Sequence, residues 1–118
     1  MSVIVAKANE DSRNTLAIGG NMHKSIMQED NTSCYLCGRN GNGDPLECHH
    51  IFGASNRKHS DKDGLYVWLC GDRCHRNGSM SAHKSAVTAE MLKAEAQKAY
   101  ERTHTREQFV RRYGKNYL

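Results

Sequence analysis

The sequence predicts a small α+β domain stapled by zinc: two short antiparallel strands joined by a long loop, then helices. Three observations lead there. Apolar residues make up only 37% of the 118-residue chain, with two Phe and one Trp, so a single thin core needs a cross-link. Four of the five cysteines fall into close pairs, Cys34-x-x-Cys37 and Cys70-x-x-x-Cys74. Between the pairs lie two β-favouring runs, and after them the composition turns helical.

Residues 1–32 form an N-terminal extension with weak signals. "SVIVA" is compatible with a short strand, "NEDSRNT" and "GGN" with loop, and His23 to Gln28 with the start of a helical turn. Part of this extension is expected to be mobile or to drape over the core. The opening "MSVIVAKANEDSRN" lacks a basic start followed by an apolar run, so no secretory signal is expected. No apolar run approaches the roughly 20 residues of a membrane helix. Reduced cysteines in a cytoplasmic setting follow, and regular spacing then reads as metal binding.

The domain proper spans 33–118. Cys34, Cys37 and Gly38 suit a tight knuckle around two thiolates, and "RNGNGDP" is turn chemistry. "LECHHIF" reads as the first strand, "GASNRKHSDKDG" as a polar basic loop, and "LYVWLC" as the return strand. An isolated hairpin is marginal in water, so this one needs the metal and a helix behind it. From Ser81 to Arg102 there is no Gly or Pro, and a helix is expected with Val87, Met91, Leu92, Ala99 and Tyr100 at helical spacing. Thr105 and Gln108 make a capping box for a last helix, with Phe109, Val110 and Tyr113 inward and Gly114 as its cap.

Four thiolates at Cys34, Cys37, Cys70 and Cys74 suit tetrahedral Zn²⁺, which prefers sulfur and nitrogen and needs no redox chemistry. Cys48 stands apart and reads as core filler. The histidines are unevenly spread: His49, His50, His59, His75 and His83 crowd the middle of the chain. Net charge is +4, a bias that fits a polyanion such as nucleic acid without demanding one.

"CYLCG", "HHIFG", "NRK", "LYVWLCGDRCH" and the ending "YGKNYL" together resemble the HNH endonucleases of the ββα-metal, or His-Me finger, superfamily. The likeness is nearest to small phage HNH nucleases and the RecA-dependent phage recombination nucleases, and covers roughly Lys24 to Leu118. The resemblance implies a ββα-metal, treble-clef-like domain with additional C-terminal helices, and a DNA endonuclease acting in a bacterial host cell. It puts His49 at the first metal ligand and His50 at the general base, with His75 and His83 as candidates for the other ligands. The family's central asparagine is missing from its usual place, which here reads Gly64-Leu65; Asn56 or Asp63 is the candidate replacement. The implied products carry 5′-phosphate and 3′-hydroxyl ends.

The chemistry suits these residue types. A neutral imidazole takes a proton from water near pH 7, and a divalent cation polarises the phosphate and the leaving oxygen. An all-histidine set favours Mn²⁺, Ni²⁺ or Zn²⁺, with Mg²⁺ admissible if water and phosphate complete its shell. Neighbouring strand residues face opposite ways, so His49 and His50 can flank one phosphate only at a strand end or a distorted position. Arg57, Lys58, Arg73, Arg76 and Lys84 are candidate phosphate contacts, with Arg111 and Arg112 as a second basic patch. Such contacts position DNA without reading sequence. Two rivals stand beside this reading: a zinc-finger module that binds nucleic acid without cutting, and a nuclease active only on a recombinase filament. A binder has no need of His50 or His83.

Overall fold

The computed structural model describes residues 23–118; the "SVIVA" stretch lies outside them. Strand β1 (Leu46–His50) pairs antiparallel with β2 (Tyr66–Cys70), in the register Leu46 opposite Cys70 and His50 opposite Tyr66. The strands thus fall where the β-favouring runs place them. β2 is buried along nearly its whole length because its edge is covered. Tyr35 N donates to Trp68 O (2.9 Å), Trp68 N donates to the Gln28 side chain (2.8 Å), and Ser25 Oγ donates to Tyr66 O (2.7 Å). Residues 23–35 therefore strap the open edge, with two of these three bonds made by side chains where a third strand would use backbone. The strap is irregular, and the helical turn expected at His23–Gln28 is not formed.

The expected long loop between the strands is a helix. After a 3-10 turn at Ala54–Asn56, α1 runs from Arg57 to Asp63. It carries no apolar stripe, so periodicity gave no sign of it; its anchors are polar and distant. Ser60, fully buried, receives the Phe52 N–H and donates to the Phe52 carbonyl, both at 3.1 Å. Asp63 accepts from Arg112 Nε and the Tyr113 hydroxyl, each at 2.6 Å. Gly64 ends α1 in the left-handed region (φ 73°). A Cβ there would lie 2.3 Å from the Lys24 carbonyl, so only glycine lets the strap pass.

After β2 the chain makes a π-helical turn, Gly71–Arg76, whose Asp72 and Arg73 amides are received by the Asp44 carboxylate. Helix α2 spans Ala86–Tyr100, starting later than the expected Ser81 because Ser85 is its N-cap, receiving the Thr88 amide. Its inward residues are Thr88, Leu92, Ala96, Gln97 and Tyr100. Val87 and Met91, expected inside, are 74% and 38% exposed; the helix meets the core one residue out of phase with them. Helix α3 (Arg106–Tyr113) forms as expected, with the Thr105–Gln108 capping box, Phe109 and Tyr113 buried and Gly114 as cap.

The core lies between β2 and the two long helices: Leu65, Val67, Leu69, Leu92, Ala96 and an aromatic group. Phe52 packs at a tilt against Tyr113 (centroids 4.5 Å apart), and Tyr113 stacks on Phe109 (4.8 Å). Both phenylalanines of the chain are spent here. Among the described residues, no helix is long and apolar enough to cross a membrane.

Candidate metal centres

Two clusters of metal-ligating side chains flank the end of β2. In the first, the sulfurs of Cys34, Cys37, Cys70 and Cys74 all lie within 4.8 Å of one another. The Cys37 and Cys70 sulfurs are 3.5 Å apart. Tetrahedral zinc with bonds of about 2.3 Å would separate sulfurs by roughly 3.8 Å, so the cluster could hold zinc. Cys34, Cys70 and Cys74 are buried and Cys37 is exposed. Burial resists ionisation of Cys37, but hydrogen bonds from the Arg39 backbone and side chain and from its thiol neighbours outweigh it and hold its pKa at about 6. Cys70 is pushed up to about 11 by burial and then by Cys37 and Cys34, and Cys74 is raised by the same causes. One thiolate forms easily and resists the next, an arrangement that a central cation relieves. Cys48 lies outside the cluster, half-buried, its thiol raised to about 11 by burial and by Asp61.

The second cluster joins His49, His75 and His83, each offering a ring nitrogen within 4.8 Å of the others. Ring centroids are 5.1 Å apart for His49–His75, 5.5 Å for His49–His83 and 4.7 Å for His75–His83. Each ligand comes from a different element: β1, the π-helical turn and the segment before α2. That last segment is tied to the turn by Ala82 N donating to Cys74 O (2.8 Å) and His83 N to His75 O (3.1 Å). Bonds of about 2.0–2.1 Å to a tetrahedral cation would set the nitrogens roughly 3.3 Å apart, within reach of small side-chain rotations. Burial, then the neighbouring imidazoles, lowers His49 to about 4, and burial with His75 and Arg76 lowers His83. Neutral imidazole is the ligand form.

Sequence reasoning missed Glu47. Its Oε1 accepts from His75 Nδ1 (2.8 Å) and Arg76 Nε (2.9 Å). That bond leaves His75 Nε2 for the cluster, the usual outer-shell arrangement of a metal-bound histidine. The signal was present: Glu47 and His49 are two apart on a strand and so share a face.

His50, the last residue of β1, points the other way, and its Nε2 is engaged by Asp61 of α1. Asp61 was also missed, since α1 itself was not foreseen. Among the described residues, His50 Nδ1 has no hydrogen-bond partner. The two rings still share a field, for His50 contributes to the lowering of His49.

Neither candidate for the central asparagine joins the histidine cluster. Asn56 reaches towards the Tyr113 carbonyl at 3.5 Å, and Asp63 is taken by Arg112 and Tyr113. The end of β1 and the residues after it are tied to α1 by Asp61, on His50, and by Ser60, on Phe52.

Arg57 and Lys58 open α1, exposed, on the side of His50 and Asp61; Arg73, Arg76 and Lys84 are exposed around the histidine cluster. Arg76 is partly engaged by Glu47. Of the second basic patch, Arg111 is exposed beside Glu107, but Arg112 is bound to Asp63 and belongs to the α1–α3 joint. Compared with known proteins, the chain matches no family model, no curated protein and no solved structure.

Proposed function

We propose that this protein is a metal-dependent DNA endonuclease of the HNH type, built on a ββα-metal domain held by a structural zinc. The observation that carries the reading is the His49–His75–His83 triad beside His50 at the end of the same strand. These groups are presented by β1, the π-helical turn and the segment before α2. A cation held by the three imidazoles would supply Lewis acidity to the phosphoryl oxygen and to the leaving alkoxide.

The chain's own residues do the rest. Asp61 receives the Nε2–H of His50, which leaves the Nδ1 lone pair as the base for an attacking water. Glu47 fixes the tautomer of His75. Arg57 and Lys58 on one side, with Arg73, Arg76 and Lys84 on the other, are placed to hold backbone phosphates, so binding is salt-dependent and little affected by sequence. Phage origin and a bacterial cytoplasmic setting belong to the same reading.

The rival, a zinc-stapled module that binds nucleic acid without cutting, draws on one observation: Asp61 already occupies a nitrogen of His50. Plasmid nicking across Mg²⁺, Mn²⁺, Ni²⁺ and Zn²⁺, parent beside His50→Ala, separates them. The nuclease reading expects the parent to nick with at least one metal and the folded, DNA-binding variant to lose nicking by 10²-fold or more, the usual scale of general-base removal. Equal nicking by both removes His50 from the mechanism. Failure of the parent with every metal favours the binder, unless adding a recombinase filament restores cutting.

A further inference from the structure

Between the second and third histidines of the triad the chain makes one short excursion, from Arg76 to Ala82, and at its tip stands Met80, 62% exposed. Single exposed apolar residues are ordinary, so exposure alone says little. What sets this one apart is that its loop is firmly closed. Asn77 N and Gly78 N both donate to the Asp72 carbonyl (2.8 and 3.3 Å), and the Asn77 side chain donates to the Asp72 carboxylate (2.7 Å). Gly78 crosses Arg73 so closely that a Cβ would sit 2.1 Å from the Arg73 carbonyl. Ser81 and Ala82, directly after Met80, are buried, and the Ser81 hydroxyl receives the Lys84 amide. Met80 is thus an apolar tip on an anchored base. Arg73, Arg76 and Lys84 are exposed on the same short stretch, Arg76 being paired with Glu47, and the exposed acid of that stretch, Asp72, is taken up in closing the loop.

A thioether held out among cations, beside a candidate cation site, fits a polyanion with an apolar interior reachable from its groove. Duplex DNA is such a partner: phosphates for the cations, base stacks for the methionine. Proteins that distort duplexes use apolar side chains, methionine among them, as wedges between base steps. We propose that Met80 is a wedge that enters a base step next to the phosphate presented to the His49–His75–His83 triad. This rests on the nuclease reading for the phosphate but not for the binding itself. By parting one step, Met80 would bend the duplex and lower the phosphate onto the triad. Because any step can be parted, the wedge selects deformable sites rather than a base sequence.

The test uses the full chain with Met80→Ala and Met80→Leu, each first confirmed to melt like the parent. Duplexes carrying 2-aminopurine report unstacking on binding, and nicking is compared on an intact duplex and on one with a single mismatch. The parent and Met80→Leu should raise 2-aminopurine fluorescence, and Met80→Ala should not. Met80→Ala should nick the intact duplex about tenfold more slowly, with most of the loss recovered on the mismatched duplex, whose step is already loosened. Equal fluorescence and equal nicking by Met80→Ala on both substrates would overturn the wedge and leave the nuclease reading standing. A parent that unstacks DNA through Met80 but cuts with no metal, with or without a recombinase filament, would leave the wedge standing and overturn the nuclease. A parent that binds no duplex overturns the wedge.

Discussion

The sulfur cluster and the histidine cluster share the π-helical turn, with Cys74 belonging to one and His75 to the other, yet they are built differently. The sulfur ligands come as two local pairs, three of four buried, with all four sulfurs within 4.8 Å of one another. The histidine ligands come from three separate elements and include the exposed His83. One of them, His75, has a polar outer partner in Glu47, and the neighbouring His50 is engaged by Asp61. A buried local cluster acts as a staple, and its ion is worth folding free energy. An open cluster assembled from afar depends on the fold and adds little to it, which leaves room for an outside ligand.

That contrast makes graded predictions. The largest effect is on folding. Complete removal of metal from the sulfur cluster, or Cys70→Ser, should abolish the cooperative melt, because structural zinc contributes on the order of 10 kcal/mol in small domains. A cooperative and unchanged melt after verified removal would refute the staple. His83→Ala, at the exposed ligand, should by contrast leave the metal-loaded melt within about 0.5 kcal/mol of the parent.

Next comes Glu47→Gln. It removes the carboxylate behind His75 and should weaken binding of Mn²⁺ or Co²⁺ at the histidine cluster by about 10–100-fold, measured calorimetrically. The sulfur cluster should be untouched. Equal loss at both clusters would mean that Glu47 holds up the fold rather than His75.

A third effect is on the hairpin. Ser60→Ala leaves the Phe52 amide and carbonyl without their buried partner, an expected loss of about 1–3 kcal/mol in denaturant unfolding. Ser60→Thr is the control that retains the hydroxyl.

The most gradual is a pH dependence. His49 is lowered to about 4 by burial and neighbouring imidazoles, from an ordinary value of 6.5. The unfolded chain therefore binds more protons between these values, and stability falls as pH falls through that window. The slope from this residue is at most about 1.4 kcal/mol per pH unit. Chemical unfolding of protein with zinc in the sulfur cluster alone should record it, and His49→Asn should flatten it. A stability that rises on acidification would contradict the neutral-imidazole cluster.

What could be read from the sequence divides along the same line. Cys-x-x-Cys and Cys-x-x-x-Cys are local spacings, and the four sulfurs do converge. β1 and β2 follow from composition, and α3 from its capping box, since these signals act over a few residues. α1 could not be foreseen: it is seven charged and polar residues held by Ser60, Asp61 and Asp63 to partners on other elements. The face of α2 was misjudged because Val87 and Met91 are apolar but face solvent, while Thr88 and Gln97 are polar but buried. Gln97 is fully buried because its side chain is bonded to Glu101, Asn116 and the Tyr117 amide, pinning the C-terminal segment. Long-range polar contacts of this kind leave no periodic trace.

The central claim is that this fold provides two cation sites of different chemistry, one of thiolates and one of imidazoles. Cobalt(II) titration of the metal-free chain, followed by its visible and near-ultraviolet spectrum, tests it most directly. One ion per chain should enter with intense thiolate-to-cobalt charge transfer. A second should then bind more weakly without that signature, and only the second should disappear in His49→Ala and His75→Ala. A single ion per chain, or a second whose binding ignores both histidines, would contradict it.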